Sequence, residues 1–241
     1  MAAPVVRAVP AALRPAARAL ADGEPVLIFD APDRERETDL VVLSERMTPE
    51  LVHLQRRDAG GLICTAISDE LRRRLELPFL ADLLEAGRPR YPTAALLLER
   101  PRYDRRSAFG ITINHRANYT GVTDNERALT IRTVGETARD APRLSDAELR
   151  DRFTGSIAAP GHVQMIYAAP GLLEERKGHT DLVISLARMA GLSESVTVCE
   201  MLGDSGGARD LAAARRYADA HGFPFLEGAE ILEAWKEWSS A

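Results

Sequence analysis

The chain has 241 residues, a formal net charge of -5 at pH 7, 45% hydrophobic residues and 28% charged residues. This balance is typical of a globular protein that buries one sizeable core, and its acidity argues against a nucleic-acid-binding surface. No apolar stretch approaches the length of a membrane span, so we expect no membrane partner. The two cysteines, Cys64 and Cys199, lie in apolar runs, which indicates reduced thiols in a cytoplasmic protein rather than a disulfide framework.

Helices and strands are predicted to alternate through the first part of the chain. Hydrophobic periodicity, capping residues and glycine stops define their limits. In chain order they are a helix at 13–20, strands at 26–29 and 40–43, a helix from Thr48 to Gly60, a strand at 62–67 and a helix at 68–75. Between residues 78 and 101, proline, glycine and arginine interrupt short apolar pieces, which predicts an irregular or mobile segment.

The same alternation continues to the end of the chain. Capping-box spacing at 123–126 and 145–148 predicts two helix starts, and residues 182–190 form a strongly amphipathic helix that Gly191 closes. Strands are predicted around 109–113, 163–167 and 196–198, followed by a helix at 211–221, a short strand at 223–226 and a final helix to about residue 238. Because helices and strands interleave throughout, the sequence predicts one α/β domain over residues 1–241.

The most distinctive stretch lies between the first two predicted strands. Residues 30–39 contain five carboxylates and only two arginines, and apolar runs on both sides anchor the stretch to the core. So many anions at the end of a strand repel one another unless a cation, a proton or a bound ligand relieves them. A solvated acidic turn is the alternative, and the apolar anchors favour a functional site. The five acids are Asp30, Asp33, Glu35, Glu37 and Asp39.

A basic stretch, 176–180, stands at the start of the amphipathic helix. Its cationic side chains, its glycine and the free N–H groups of a helix start suit a phosphate or a carboxylate. Thr180 is alternatively only a helix cap. A neutral His179 imidazole in this position is a candidate metal ligand.

Three further residues are candidates for chemistry. His162 follows Pro160-Gly161 at a strand entry, where it is a candidate acid or base, although a lone loop histidine is more often a surface residue. Glu200 ends an apolar strand and needs a partner or a raised pKa, unless the sheet edge exposes it. For Cys64 a buried structural role is favoured. Together with the acidic turn, these residues suggest a phosphorylated, carbonyl-bearing substrate handled with a hard divalent metal.

Five motifs, in this order and spacing, resemble the 3,4-dihydroxy-2-butanone 4-phosphate synthase family of riboflavin biosynthesis. The resemblance covers nearly the whole chain, and residues 109–115 and 120–131 look most like the archaeal-type members. The absence of a following cysteine and histidine pattern of GTP cyclohydrolase leads us to expect the single-function form. The motifs are Asp33-Arg34-Glu35-Arg36-Glu37-Thr38-Asp39, Gly60-Gly61-Leu62-Ile63-Cys64, Pro160-Gly161-His162-Val163, Arg176-Lys177-Gly178-His179-Thr180 and Cys199-Glu200-Met201-Leu202.

The resemblance implies a role for each matched residue. Glu35 and His179 would be the metal ligands, and His162 and Glu200 the acid and base of the reaction. The remaining catalytic positions would be Glu37 and Asp33, which assist within the acidic turn, and Cys64 near the substrate. The substrate and its phosphate would be bound by Arg34, Glu35, Asp39, Arg176, Lys177, Gly178, His179, Thr180 and Glu200.

The resemblance also implies the fold and the reaction. It indicates an α/β fold of the α+β type, with a mixed β-sheet flanked by helices in three layers, in a cytoplasmic homodimer with active sites at or near the subunit interface. Members use Mg²⁺ or Mn²⁺ to convert D-ribulose 5-phosphate into L-3,4-dihydroxy-2-butanone 4-phosphate and formate, through a metal-stabilised enediolate, dehydration and skeletal rearrangement. The alternatives are another metal-dependent sugar-phosphate isomerase or aldolase, and a nucleotide- or RNA-binding module, which the acidic turn disfavours.

Overall fold

A computed structural model describes residues 8–98, 102, 104 and 106–240 of the chain. Its seven strands are β1 (Val26–Phe29), β2 (Thr38–Leu43), β3 (Cys64–Ile67), β4 (Phe109–His115), β5 (Ile157–Tyr167), β6 (Ser195–Glu200) and β7 (Phe225–Glu227). They form one mixed sheet in the order β4-β5-β3-β6-β2-β1-β7, in which β3–β5 and β1–β7 are parallel pairs. The predicted mixed sheet is therefore confirmed, and one sheet fits the predicted single domain.

Ten α-helices accompany the strands in the described part of the chain. They are α1 (Arg14–Asp22), α2 (Pro49–Leu54), α3 (Asp69–Arg74), α4 (Leu80–Ala86), α5 (Pro92–Leu96), α6 (Asp124–Asp140), α7 (Asp146–Ser156), α8 (His179–Met189), α9 (Leu211–His221) and α10 (Gly228–Ser240). A π-helical turn, Gln55–Ala59, extends α2 to the glycine pair at 60–61. Within this described part, no helix is both long and apolar enough to cross a membrane.

The helices lie on both faces of the sheet, which gives three layers. Alternate residues of a strand point to opposite faces. Thus Leu40 and Val42 pack with α2, α6 and α7 in one core, whereas Val41 and Leu43 pack with α1, α8 and α10 in the other. Because α8 is buried along almost its whole length, its first residue is fixed against the sheet.

Two sequence predictions about local structure are wrong. The segment from residue 78 is not irregular, because it forms α4 and α5, two helices too short to show a clear hydrophobic period; residues 99–101 of that prediction lie outside the described residues. Thr180 is not a helix cap, because α8 already begins at His179 and Gly178 is its N-cap. The capping box at Ser145 is confirmed.

Strand register brings the ends of the central strands together. Asp39 of β2 pairs with Glu200 of β6, and Cys64 of β3 pairs with Val198, two residues earlier on β6. Residues two apart on a strand share a face, so Asp39, Glu200 and Cys64 all point to the side of the sheet that carries α8. The end of β2 and β6 thus lies beside the start of that helix.

Candidate functional site

The acidic turn is folded around a buried carboxylate. Asp30 follows the last residue of β1 and is only 3% exposed. Its two oxygens accept the backbone N–H groups of Glu35 (2.9 Å) and Glu37 (3.1 Å). These bonds satisfy backbone N–H groups that have no strand partner in the turn, and they hold Glu35 and Glu37 in fixed positions.

His179 meets the acidic turn from α8. Its Nδ1 atom lies 3.2 Å from Glu35 Oε2, and its Nε2 atom lies 3.7 Å from Asp39 Oδ1. The imidazole is buried, and neither His179 Nε2 nor Asp39 Oδ1 has a hydrogen-bond partner among the described residues. Buried polar atoms are rarely left without a partner, so this pair of atoms fits a site that takes up a cation or a polar ligand group.

Three ligand atoms converge closely enough to share one metal ion. One atom each from Asp30, Glu35 and His179 lie within 4.8 Å of one another. Two carboxylates and one imidazole suit a divalent cation that prefers oxygen and keeps open positions for other ligands. The predicted meeting of Glu35 with His179 thus occurs within a single chain. Sequence reasoning gave no ligand role to Asp30, although its position directly after the strand was a usable signal.

Negative charge exceeds positive charge around this cluster. Burial lowers the pKa of His179, but Asp39 and Glu35 outweigh burial and raise that pKa above its ordinary value. Burial raises the pKa of Asp39. The charge of His179 lowers this pKa, and the charge of Glu200 raises it further. Burial and Glu35 likewise raise the pKa of Glu37. One imidazolium cannot neutralise this many carboxylates, which is the condition that favours a bound divalent cation.

Glu200 and Cys64 line the floor of the same cleft. The Leu62 N–H donates to Glu200 Oε2 over 2.7 Å, which fixes the position of the carboxylate in the cleft. Gly61 is required for this contact, because a Cβ atom there would lie 2.3 Å from the same oxygen. Burial, followed by the charges of Glu200 and Asp39, raises the pKa of the Cys64 thiol, so Cys64 is a neutral thiol and not a thiolate nucleophile.

Two carboxylates hold the basic side of the cleft. Arg176 donates to Asp181 Oδ2 over 2.5 Å and to the Tyr167 carbonyl over 2.8 Å. Asp181 is fully buried and also accepts the Ala169 N–H at 2.7 Å. Arg34 pairs with Asp104 at 3.2 Å. These bonds fix both guanidinium groups beside the metal-ligand cluster, which consists of the three candidate ligands Asp30, Glu35 and His179.

Two adjoining clefts meet at these arginines. The first, of about 120 Å³, is lined by most of the predicted site: Arg34, Glu35, Asp39, Cys64, Arg176, Gly178, His179, Thr180 and Glu200. The second, of about 920 Å³, shares Arg34, Asp104, Arg106 and Arg176 with the first. It adds the cationic side chains of Arg72, Arg102 and Lys177 and the acidic side chains of Asp69, Glu174 and Glu175. An acidic pocket that includes the candidate metal ligands Glu35 and His179 therefore opens into a larger cleft. Cationic side chains outnumber carboxylates in that cleft, which suits the anionic end of a substrate.

Three predicted catalytic residues do not line these clefts. Glu37 is half-buried on the acidic turn but lines neither of them. Asp33 is exposed on the acidic turn. His162 is also exposed, two residues before Gln164, which pairs with Cys64 across β5 and β3. In the sheet, β3 lies between β5, which carries His162, and β6, which ends at Glu200. Within one chain, the structure does not bring His162 to the metal-ligand cluster.

Sequence and structure comparisons point to one family. A family model described as 3,4-dihydroxy-2-butanone 4-phosphate synthase matches residues 14–234. The protein of that name from Methanothermobacter thermautotrophicus is 41% identical over 230 residues, which are 95% of this chain and 97% of the relative. Its counterpart from Methanosarcina acetivorans is 43% identical over 223 residues, which are 91% of this chain and 89% of the relative. These relatives confirm the predicted likeness to archaeal-type members.

Solved structures share the fold. The crystal structure of 3,4-dihydroxy-2-butanone 4-phosphate synthase of Candida albicans is 26% identical, with a TM-score of 0.69 over 92% of this chain and 95% of that one. A 3,4-dihydroxy-2-butanone 4-phosphate synthase crystallised in complex with two magnesium ions has a TM-score of 0.70, covers 93% of this chain and 94% of that one, and is 23% identical. Both confirm the α/β fold with a mixed sheet.

Proposed function

The chain belongs to the 3,4-dihydroxy-2-butanone 4-phosphate synthase family of riboflavin-biosynthesis enzymes, and from this premise we propose its reaction. The substrate is D-ribulose 5-phosphate, and the products are L-3,4-dihydroxy-2-butanone 4-phosphate and formate. The observation that carries the proposal is the convergence of Asp30, Glu35 and His179 beside a basic cleft. A sugar phosphate needs both parts, one for its oxygens near the reacting carbons and one for its phosphate.

The metal is Mg²⁺ or Mn²⁺ in this proposal, and Glu35 and His179 hold it. The residues present fit such an ion, because Asp30 also reaches the same point and two buried polar atoms nearby have no hydrogen bond among the described residues. When bound, the ion supplies a Lewis acid that stabilises negative charge on substrate oxygens. The protein contributes a fixed set of ligands, because Asp30 holds the backbone from which Glu35 projects.

The phosphate end of the substrate binds on the basic side. Arg34 and Arg176 stand where the two clefts join, and Thr180 lies in the first turn of α8. Charge-assisted hydrogen bonds from guanidinium groups and the N–H groups of a helix start both favour a phosphate. Lys177 and Gly178 complete this segment. Binding at one end keeps the sugar in place while its carbon skeleton rearranges.

Proton transfer falls to Glu200 and His162, with Glu37 and Asp33 assisting. Glu200 is aimed into the cleft by the Leu62 N–H, so it is placed to exchange a proton with a substrate held between Asp39 and Cys64. Cys64, as a neutral thiol, contacts the substrate without attacking it. Enediolate formation, dehydration, migration and release of formate are the steps that these groups serve.

We also propose that two copies of this chain form a cytoplasmic homodimer in which the partner's His162 completes each site. Within one chain His162 is exposed and lines neither cleft. Leu62 and Leu202, which flank the same end of the sheet, are 49% and 42% exposed. Exposed apolar side chains around an exposed candidate acid or base favour a protein interface there.

Release of formate tests the proposed reaction. The chelator-treated protein is incubated with D-ribulose 5-phosphate, with and without Mg²⁺ or Mn²⁺, and formate is measured by a coupled dehydrogenase. We expect formate only in the presence of the metal. An isomerase or aldolase releases no formate, so metal-dependent loss of substrate without formate would overturn the proposal. Equal formate production in the chelated protein would overturn the metal requirement.

A further inference from the structure

The ladder between β4 and β5 is interrupted next to His162. Ile113 pairs with Val163, but the following residue, Asn114, pairs with Ala158. Residues 159–162 therefore bulge out of the ladder, and side chains of β4 take over the bonding of the bulge. Asn114 Oδ1 accepts the His162 N–H at 2.9 Å.

Asn114 also contacts the His162 ring. Its Oδ1 atom lies 3.3 Å from His162 Nδ1, and its Nδ2 atom lies 3.2 Å from the same ring atom. One hydrogen of Nδ2 is used by the Thr120 carbonyl at 3.1 Å, and the backbone N–H of His162 holds Oδ1 toward the bulge. The amide can therefore either accept an Nδ1–H at Oδ1 or donate its second Nδ2 hydrogen to an unprotonated Nδ1, and the tautomer of His162 decides between the two. The carbonyl oxygen has a second lone pair for an Nδ1–H donor.

The loop on the other side of Asn114 is rigid. The Glu126 carboxylate accepts the N–H groups of Tyr119, Thr120 and Gly121 at 2.6, 3.0 and 3.0 Å. Gly121 has a φ of +104°, and a Cβ atom there would lie 2.2 Å from Asn114 Oδ1. A glycine is thus needed for the close approach of the loop, and the amide is fixed between this loop and the bulge.

We infer that Asn114 is a positioning residue, which keeps a proton on Nδ1 of His162 and leaves Nε2 as the nitrogen that exchanges protons with substrate. The inference rests on the acid and base role proposed for His162. An imidazole that works at Nε2 must retain Nδ1–H in both of its protonation states, and that hydrogen needs an acceptor. Asn114 Oδ1 is a neutral acceptor for this Nδ1–H hydrogen.

Three variants separate this role from a structural one. Asn114→Leu removes both amide contacts at similar volume, whereas Asn114→Asp keeps oxygen acceptors for the backbone and the ring. Thr112→Val is the matched control, because Thr112 Oγ1 accepts the Gly161 N–H at 3.2 Å in the same bulge without touching the imidazole. Thermal unfolding of each variant shows whether the strand pair is retained.

The readouts are the ¹⁵N shifts of the His162 ring, which report the tautomer, and kcat and KM for formate release. We expect the Nδ1–H tautomer in the unsubstituted protein, its loss in Asn114→Leu with a fall in kcat of about 10-fold, and retention in Asn114→Asp and Thr112→Val. KM should change less than kcat in Asn114→Leu.

An Nε2–H tautomer in the unsubstituted protein would overturn the inference, as would an equal fall in kcat in Thr112→Val. Full activity of His162→Ala would instead overturn the role proposed for His162. The nitrogen shifts of Asn114→Leu still decide the Asn114 contact in that case, so the two failures are distinguishable.

Discussion

Asp39 and His179 lie on elements that are 140 residues apart in the sequence, yet Asp39 Oδ1 and His179 Nε2 are 3.7 Å apart in a buried position. The other ring nitrogen of His179 faces Glu35 at 3.2 Å. Each nitrogen of one imidazole thus meets a carboxylate, and positive charge relieves the repulsion between the carboxylates. A divalent ion is the species that can neutralise two carboxylates at once while it accepts a neutral imidazole.

Removal of either ligand should weaken metal binding and abolish turnover. For Glu35→Ala and His179→Ala we expect Mn²⁺ affinity to fall by at least about 10-fold, because the remaining donors no longer surround the ion. Free Mn²⁺ is measured by electron paramagnetic resonance, and formate release is followed in the same samples.

Asp22→Asn is the control for this pair, because it removes a carboxylate that is exposed at the end of α1 and pairs only with Arg18 among the described residues. Circular dichroism should show an unchanged fold in all three variants. Full formate release by a chelator-treated ligand variant would contradict the assignment.

Glu200→Gln should reduce kcat more than it raises KM. The amide oxygen of glutamine can still accept the Leu62 N–H, so the side chain keeps its place while it loses the ability to take up a proton. We expect a fall in kcat of about 100-fold or more from steady-state formate kinetics. A rise in KM with unchanged kcat would assign Glu200 to substrate binding instead.

The sequence predicted where this site lies in the chain better than it predicted which residues form the site. Apolar runs on both sides of the acidic turn indicated that Glu35 is anchored, but nothing local showed that Asp30 is buried and accepts two backbone N–H groups. Asp181 was missed in the same way, because an acid in the first turn of a helix usually faces solvent, whereas this one is buried against Arg176.

Long-range pairing explains most of what could not be predicted. The helix and strand positions follow from local patterns, but the placement of β6 between β3 and β2 depends on residue pairs that are 128 to 161 positions apart in the sequence. That pairing alone brings Glu200 next to Asp39. Asn114 lies on a strand with an ordinary alternating pattern, so its contact with His162 depends on a bulge that no residue pattern indicates.

A mixed dimer tests which subunit supplies His162. One chain has His162→Ala, the other has Glu200→Gln, and the two are co-expressed with different affinity tags and purified as a heterodimer.

If the partner's His162 completes each site, one of the two sites contains both groups, and about half of the unsubstituted activity is expected. If His162 acts within its own chain, both sites lack one group and activity is lost. A heterodimer of the unsubstituted chain with Glu200→Gln measures the value for one working site.

Glu126 should stabilise the protein in a way that depends on pH. Hydrogen bonds from the N–H groups of Thr120, Gly121 and Tyr119 lower the pKa of Glu126 from 4.5 to about 2. A carboxyl group with a lowered folded-state pKa contributes stability that is fully present above pH 4.5 and is lost as the pH falls toward 2. Glu126→Gln should therefore reduce the free energy of unfolding at pH 6, and the difference in this free energy from the unsubstituted protein should shrink by pH 3.

Denaturant unfolding at both pH values measures this difference. Asp151→Asn is the control for the loss of one surface charge, because Asp151 is an exposed acid on α7. A difference that stays constant between pH 6 and pH 3 would mean that the Glu126 carboxylate does not hold the loop that supports Asn114.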